Sequence, residues 1–192
     1  MSQKHKVFLS FHHQDDYYRQ KFEQYFSNYL DIFVNKSVKD GDIDPNNKTE
    51  SIRRIIREKY ISNTSVTIVL IGQNTWQRKH VDWEIAYSLT TSKINTRSGL
   101  LGILLPSYRQ IICPQAIYRK VKNRGIYYTH CNIPPRLYDN VESGYTEIYS
   151  YPPSPYELAK WIHEAFERKK ICTHKNSRDF FVKNRTNDYW QD

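Results

Sequence analysis

Little in this sequence announces a site by composition. Glycine occurs only 6 times, and never as GxGxxG or GxxxxGK[ST]. Both of those loops need bare backbone against phosphate, so a Rossmann dehydrogenase and a P-loop NTPase are disfavoured. Cysteine occurs 3 times, at Cys113, Cys131 and Cys172, with no CxxC pair. These are too few and too scattered for a disulfide framework. His130-Cys131 and Cys172-Thr173-His174 lack a matching half at zinc-finger spacing, so no metal is expected. No apolar window approaches the length of a membrane span, and the opening Met1-Ser2-Gln3-Lys4-His5-Lys6 lacks the apolar stretch of a signal peptide. The expectation is a cytoplasmic protein without a membrane partner. Acidic residues are outnumbered 20 to 29 by Lys and Arg, a formal charge of +9. That balance favours anionic partners, although a solvated basic surface is the plainer account of it.

What is present is enough for a folded chain. At 192 residues there is room for one domain with a proper core and an appended tail. Hydrophobic content, tyrosine included, is 39%, and 16 tyrosines supply a large share of it. The organising stretch is residues 66–89. Val66-Thr67-Ile68-Val69-Leu70-Ile71 is apolar and β-branched without polar alternation, which suits a central strand covered on both faces. A polar turn and a helical pattern follow, with Val81, Ile85, Ser88 and Leu89 on one face. His80, Glu84, Tyr87 and Thr91 form a stripe beside it. Asn74 and Gln77 have the spacing of a capping box.

Residues 6–11 read as the first strand, and Asp15 or Asp16 as the cap of the helix after it. Tyr18, Phe22, Tyr25, Phe26, Tyr29 and Leu30 recur at helical spacing. Ile32-Phe33-Val34 suits a short strand, and an acidic loop containing Asp42 follows. Asn47 with Glu50 resembles a capping box for a helix burying Ile52, Ile55, Ile56 and Tyr60. Residues 99–105 are another apolar strand, stopped by Pro106. Residues 107–132 read as a surface insertion, and 145–151 as extended. Ser154-Pro155-Tyr156-Glu157 combines a serine cap, proline at the first helical position and a closing glutamate. The helix behind it buries Leu158, Trp161, Ile162, Ala165 and Phe166. The domain is expected over 1–170, with a basic tail over 171–192.

This alternation predicts an α/β fold: a doubly wound parallel sheet with helices on both faces. Ligands of such sheets bind outside the carboxyl ends of the strands. Residues 10–12 and 72–84 emerge there.

Val7-Phe8-Leu9-Ser10-Phe11-His12 followed by Asp15 resembles the opening strand of TIR and TIR-like domains. Residues 63–72, with Thr75, Arg78, Val81, Glu84 and Ile85, look like the TIR-like proteins of bacterial Thoeris anti-phage defence. The resemblance implies a flavodoxin-like fold. It also implies an enzyme that cleaves NAD at the nicotinamide–ribose bond and releases a cyclic ADP-ribose isomer when phage infects. That product activates a separate effector. NAD is then the substrate and no cofactor is needed; a phage-derived trigger is implied. Glu84 matches the family's catalytic glutamate. TIR NADases often carry WxxxE on this helix, whereas His80 stands four residues before Glu84 here. Trp76 or Phe11 would then take over stacking on nicotinamide or adenine, with His80 as pocket wall. Ser10 and His12 would bond ribose or diphosphate, Arg78 would neutralise phosphate, and Asp42 would gate entry. The alternative is a non-catalytic TIR-like adaptor. Nucleic-acid binding through Arg53, Arg54 and Arg57, or through 119–124, lacks a recognisable module.

Overall fold

The computed structural model describes residues 5–27, 49–91 and 96–189. The expected strand at 32–34, Asp42 and Asn47 lie outside them. Four strands form one parallel sheet: β1 (Val7–Ser10), β2 (Val66–Ile71), β3 (Gly99–Leu104) and β6 (Thr146–Ser150), in the spatial order β1-β2-β3-β6. Between β3 and β6 lie a two-stranded antiparallel ribbon, β4 (Tyr118–Lys120) and β5 (Tyr127–Thr129), and helix α4 (Pro135–Glu142). The remaining α-helices among the described residues are α1 (Asp16–Ser27), α2 (Thr49–Ile55), which continues as a π-helical turn over Ile56–Ile61, α3 (Lys79–Ser88) and α5 (Pro155–Ile171). This is the doubly wound, flavodoxin-like α/β arrangement.

Successive strand residues point to opposite faces, and that parity sorts the core. Val7 and Leu9, Val66, Ile68 and Leu70, and Leu101 and Ile103 meet Phe22 and Phe26 of α1 and Leu158, Trp161 and Ile162 of α5. Val69, Ile71, Leu100 and Leu104 meet Val81 and Ile85 of α3 and Leu137 of α4. Phe8 turns to that second side as well, against Trp83, Ile52, Ile56 and Tyr60. Ser10, two residues on from Phe8, faces α3 for the same reason.

Several local expectations change. Asn74 does not cap α3, because a separate 3₁₀ turn at Thr75–Gln77 intervenes and Arg78 precedes the helix without a side-chain cap bond. Asn74 instead donates to Gln14 Oε1 at 3.1 Å. Tyr25 is 49% exposed; Phe22 and Phe26 carry the buried face of α1 with Tyr18 partly buried beside them, and Tyr29 and Leu30 lie outside the described residues. Ser154 does cap α5, accepting from the Glu157 N–H at 3.3 Å.

Cys113 and Cys131 are joined in a disulfide with their Cα atoms 6.7 Å apart. Nothing in their spacing announced it: the β4–β5 ribbon folds back and closes 18 residues of separation. His130 lies beside the pair, its Nδ1 accepting the Ile117 N–H at 2.9 Å.

The chain after α5 runs back across the outer flank of α3. Asn176 Nδ2 donates to Ala86 O at 3.0 Å, and Trp83 Nε1 to Phe181 O at 2.9 Å. Lys79 N donates to Asn184 Oδ1 at 3.0 Å, and Arg185 N to Gln77 O at 2.8 Å. This strap explains why α3 is buried from Val81 through Ala86, although its sequence shows only one apolar face. No helix among the described residues is long and apolar enough to cross a membrane.

Candidate active site

The site lies at the carboxyl ends of β1, β2 and β3. Glu84, in the second turn of α3, is 5% exposed. Ser10, the last residue of β1, donates its hydroxyl to Glu84 Oε2 at 2.6 Å. A carboxyl buried among apolar side chains resists ionisation, because removing a charge from water costs more than one hydroxyl returns. Burial pushes Glu84 up to about 8 against a pull downward from Ser10. At neutral pH it is largely protonated in this conformation.

His12 and Arg78 lie within electrostatic reach of one another on the adjoining loops. His12 is 2% exposed, and its Nε2 has no hydrogen-bond partner among the described residues. Burial first, then the nearby positive charge of Arg78, holds its imidazole down at about 3, so it is neutral. Arg78 Nε is likewise buried without a partner, and burial lowers the guanidinium from its ordinary value. Each such orphan costs roughly 1–3 kcal/mol, a cost that a ligand oxygen placed between them would remove.

Asp15, expected as a helix cap, has a different place. It ends a 3₁₀ turn at His13–Asp15, and its carboxylate accepts the Ser107 hydroxyl at 2.7 Å. Thr75 also bonds it. Burial raises its affinity for a proton, and the two hydroxyls oppose that. Asp15 therefore ties together the loops after β1, β2 and β3. Gly72 makes room for it: a Cβ there would fall 2.1 Å from Asp15 Oδ2. The one sequence signal for this seat was a glycine at the end of an otherwise branched strand.

The other expected residues are distributed as follows. Trp76 is 2% exposed within the 3₁₀ turn before α3. Phe11 is half-buried against the core shared by α1 and α5, with the Arg19 guanidinium 5.4 Å above its ring. His80 is exposed, its ring edge-on to Trp83 at 5.1 Å. Ser10 and Glu84 thus meet at the β1 and α3 ends, and His12 and Arg78 act on one another nearby in sequence; His80 stands one turn before Glu84 on α3. Asp42 lies outside the described residues.

Sequence reasoning missed Asp82 and Arg136. Asp82 is 2% exposed and Arg136 1%. Arg136 Nε donates to Asp82 Oδ1 at 2.9 Å and Nη2 to Oδ2 at 3.3 Å. The same guanidinium donates to Asn176 Oδ1 at 3.0 Å and Asp179 O at 3.1 Å in the strap. Phe181 N donates to Asp82 Oδ2 at 3.0 Å.

Residues 8–110 match the family described as Thoeris protein ThsB, TIR-like domain. No curated protein matches the chain.

Proposed function

The chain belongs to the TIR-like family of Thoeris protein ThsB, and on that premise we propose that it cleaves NAD at the nicotinamide–ribose bond to make a cyclic ADP-ribose isomer. The product serves as a signal to a separate effector during phage infection. The observation that supports this most is the buried carboxyl of Glu84, with the Ser10 hydroxyl on it and no cation among the described residues paired to it.

Ordinary glycoside cleavage needs two carboxyl groups, because the leaving oxygen must be protonated. Nicotinamide in NAD is a pyridinium and departs neutral, taking the bonding electron pair. What remains is an oxocarbenium-like ribose. One carboxylate close to it stabilises the developing charge, most strongly where water is excluded. Glu84 must be ionised for this. The positive pyridinium beside it favours the carboxylate, so substrate binding itself drives the proton off to solvent. An atom of the adenosine half then attacks the ribose in place of water, and a dry pocket favours that closure over hydrolysis. The orphaned nitrogens of His12 and Arg78 suit diphosphate or ribose oxygens, with Ser10 orienting the carboxylate. Phe11 and Trp76 are the rings for stacking.

The adaptor reading draws on one observation, the near-complete burial of Glu84. Mass spectrometry of nucleotides from phage-infected cells separates the two. Cells expressing the wild type are expected to accumulate nicotinamide and a cyclic ADP-ribose isomer; cells expressing Glu84→Gln are not. Equal products from both, or none from either, would overturn the enzyme reading.

A further inference from the structure

From Ile85 to Tyr138 the sequence contains no Asp or Glu, yet eight Lys and Arg. The β4–β5 ribbon lies in the middle of this stretch. Tyr118 pairs with Thr129, Arg119 with Tyr128, and Lys120 with Tyr127. Directly paired residues share a face, so Tyr118, Lys120 and Tyr127 stand together on one side and Arg119 and Tyr128 on the other. The second side packs inward: Tyr128 is 2% exposed in the core with α3 and α4. The first side faces solvent at Lys120, Tyr118 and Tyr127, the two tyrosines each 52% exposed, while Thr129 opposite Tyr118 is buried. The two rings are diagonal neighbours, ~7–8 Å apart at their backbone positions.

Charge follows the same division. On the edges, Arg119 is bonded to Glu142, and Lys122 to Glu147 at 3.2 Å. Lys120, between the two rings, and Arg124, in the turn, have no acidic partner among the described residues. Ile117 and Ile126 continue the exposed apolar surface at either end.

The ribbon is also held rigid. The Cys113–Cys131 disulfide closes its base. Lys122 N donates to Ile148 O at 3.0 Å, and Ser150 N to Asn123 Oδ1 at 2.8 Å, fastening its turn to β6. Two aromatic faces and two uncompensated cations are thus presented in a fixed arrangement, which keeps the ordering cost of binding small.

We propose that this ribbon binds single-stranded nucleic acid, with Tyr118 and Tyr127 each stacking a base and Lys120 and Arg124 meeting the phosphates. Base stacking on aromatic rings tolerates any sequence, and the cations supply a salt-dependent attraction. A duplex keeps its bases stacked internally and gains nothing from the rings. The site is remote in role from Glu84 and stands whether or not the chain cleaves NAD.

The test is fluorescence anisotropy on the full chain with short labelled oligouridine, oligothymidine, a duplex and polyglutamate, at two salt concentrations. The wild type is expected to bind one or both single strands more tightly than the duplex, and which of the two distinguishes RNA from DNA. Tyr118→Ala with Tyr127→Ala should weaken binding roughly tenfold per ring. Lys120→Ala with Arg124→Ala should flatten the log–log salt slope by about 1.4, two phosphates at ~0.7 each. All four side chains are exposed, so melting temperatures should match the wild type, and Glu84→Gln should bind as the wild type does. The proposal fails if neither strand binds, if the duplex binds as tightly, if removing both rings changes nothing, or if polyglutamate binds better, which would indicate a different kind of partner.

Discussion

Asp82 and Glu84 are two residues apart on α3, nearly equally buried, and surrounded very differently. Asp82 faces the outer flank. There a guanidinium grips both its oxygens, a backbone N–H adds a third bond, and the strap after α5 completes the enclosure. Glu84 faces the sheet and the crevice, where the structure gives it the Ser10 hydroxyl. Burial of a charge is tolerated when it is matched and resisted when it is not. The matched carboxylate is architecture that fastens the strap to the domain. The unmatched one has no cation beside it among the described residues, which on the proposed function leaves it for the positive charge of a substrate.

Substitutions can push this contrast to breaking. The largest effect is expected at Glu84→Gln. It keeps the shape and a hydrogen bond to Ser10, so the fold should survive, but turnover of NAD should fall by at least roughly a hundredfold. A variant that melts normally and still releases nicotinamide would move the chemistry elsewhere. On the outer flank, Arg136→Met leaves Asp82 buried without its cation. Urea unfolding should report a loss of about 3–5 kcal/mol, and the strap should become sensitive to protease. No loss would make the pair irrelevant to stability.

Glu84 also answers to pH. Glu84 binds its proton more tightly in the folded chain, with a value near 8, than in the unfolded one, near 4.5. Between those values the folded state holds a proton that the unfolded state lacks. Stability contributed by the neutral carboxyl is therefore complete below about pH 4.5 and declines as pH rises toward 8, by ~1.4 kcal/mol for each pH unit crossed. Melting curves across that window should show the decline in the wild type and a flatter profile in Glu84→Gln. The smallest effect belongs to Ser10→Ala, about 1 kcal/mol in stability. Because the Ser10 hydroxyl opposes the upward push on Glu84, its loss should move the steep part of the pH profile higher.

The inner flank was more legible in the sequence than the outer one. The unbroken apolar runs at β2 and β3 marked covered strands. Ser10 was expected at the carboxyl end of the first strand and Glu84 in a stripe beside the apolar face of its helix; the strand parity of the fold turns Ser10 toward α3. Local pattern carries that much, because each inference spans only a few residues. Asp82 and Trp83 belong to neither stripe of α3, and what covers them arrives from residues about a hundred positions further on. No periodicity encodes a partner at that distance. The same limit applies to Cys113 and Cys131, which meet through a ribbon of two three-residue strands too short to show a pattern, and to Asp15, whose position at a helix start suggested a cap while the fold turned it toward Ser107.

The account depends most on Glu84 being uncompensated at rest. Selective ¹³C labelling of glutamate side-chain carboxyls, with the Glu84 signal identified by its loss in Glu84→Gln, allows its titration to be followed between pH 4 and 9. A midpoint near 8 is expected, shifting downward when NAD is added. A midpoint in the ordinary carboxylate range, unmoved by NAD, would contradict the claim that burial and substrate charge together govern this group.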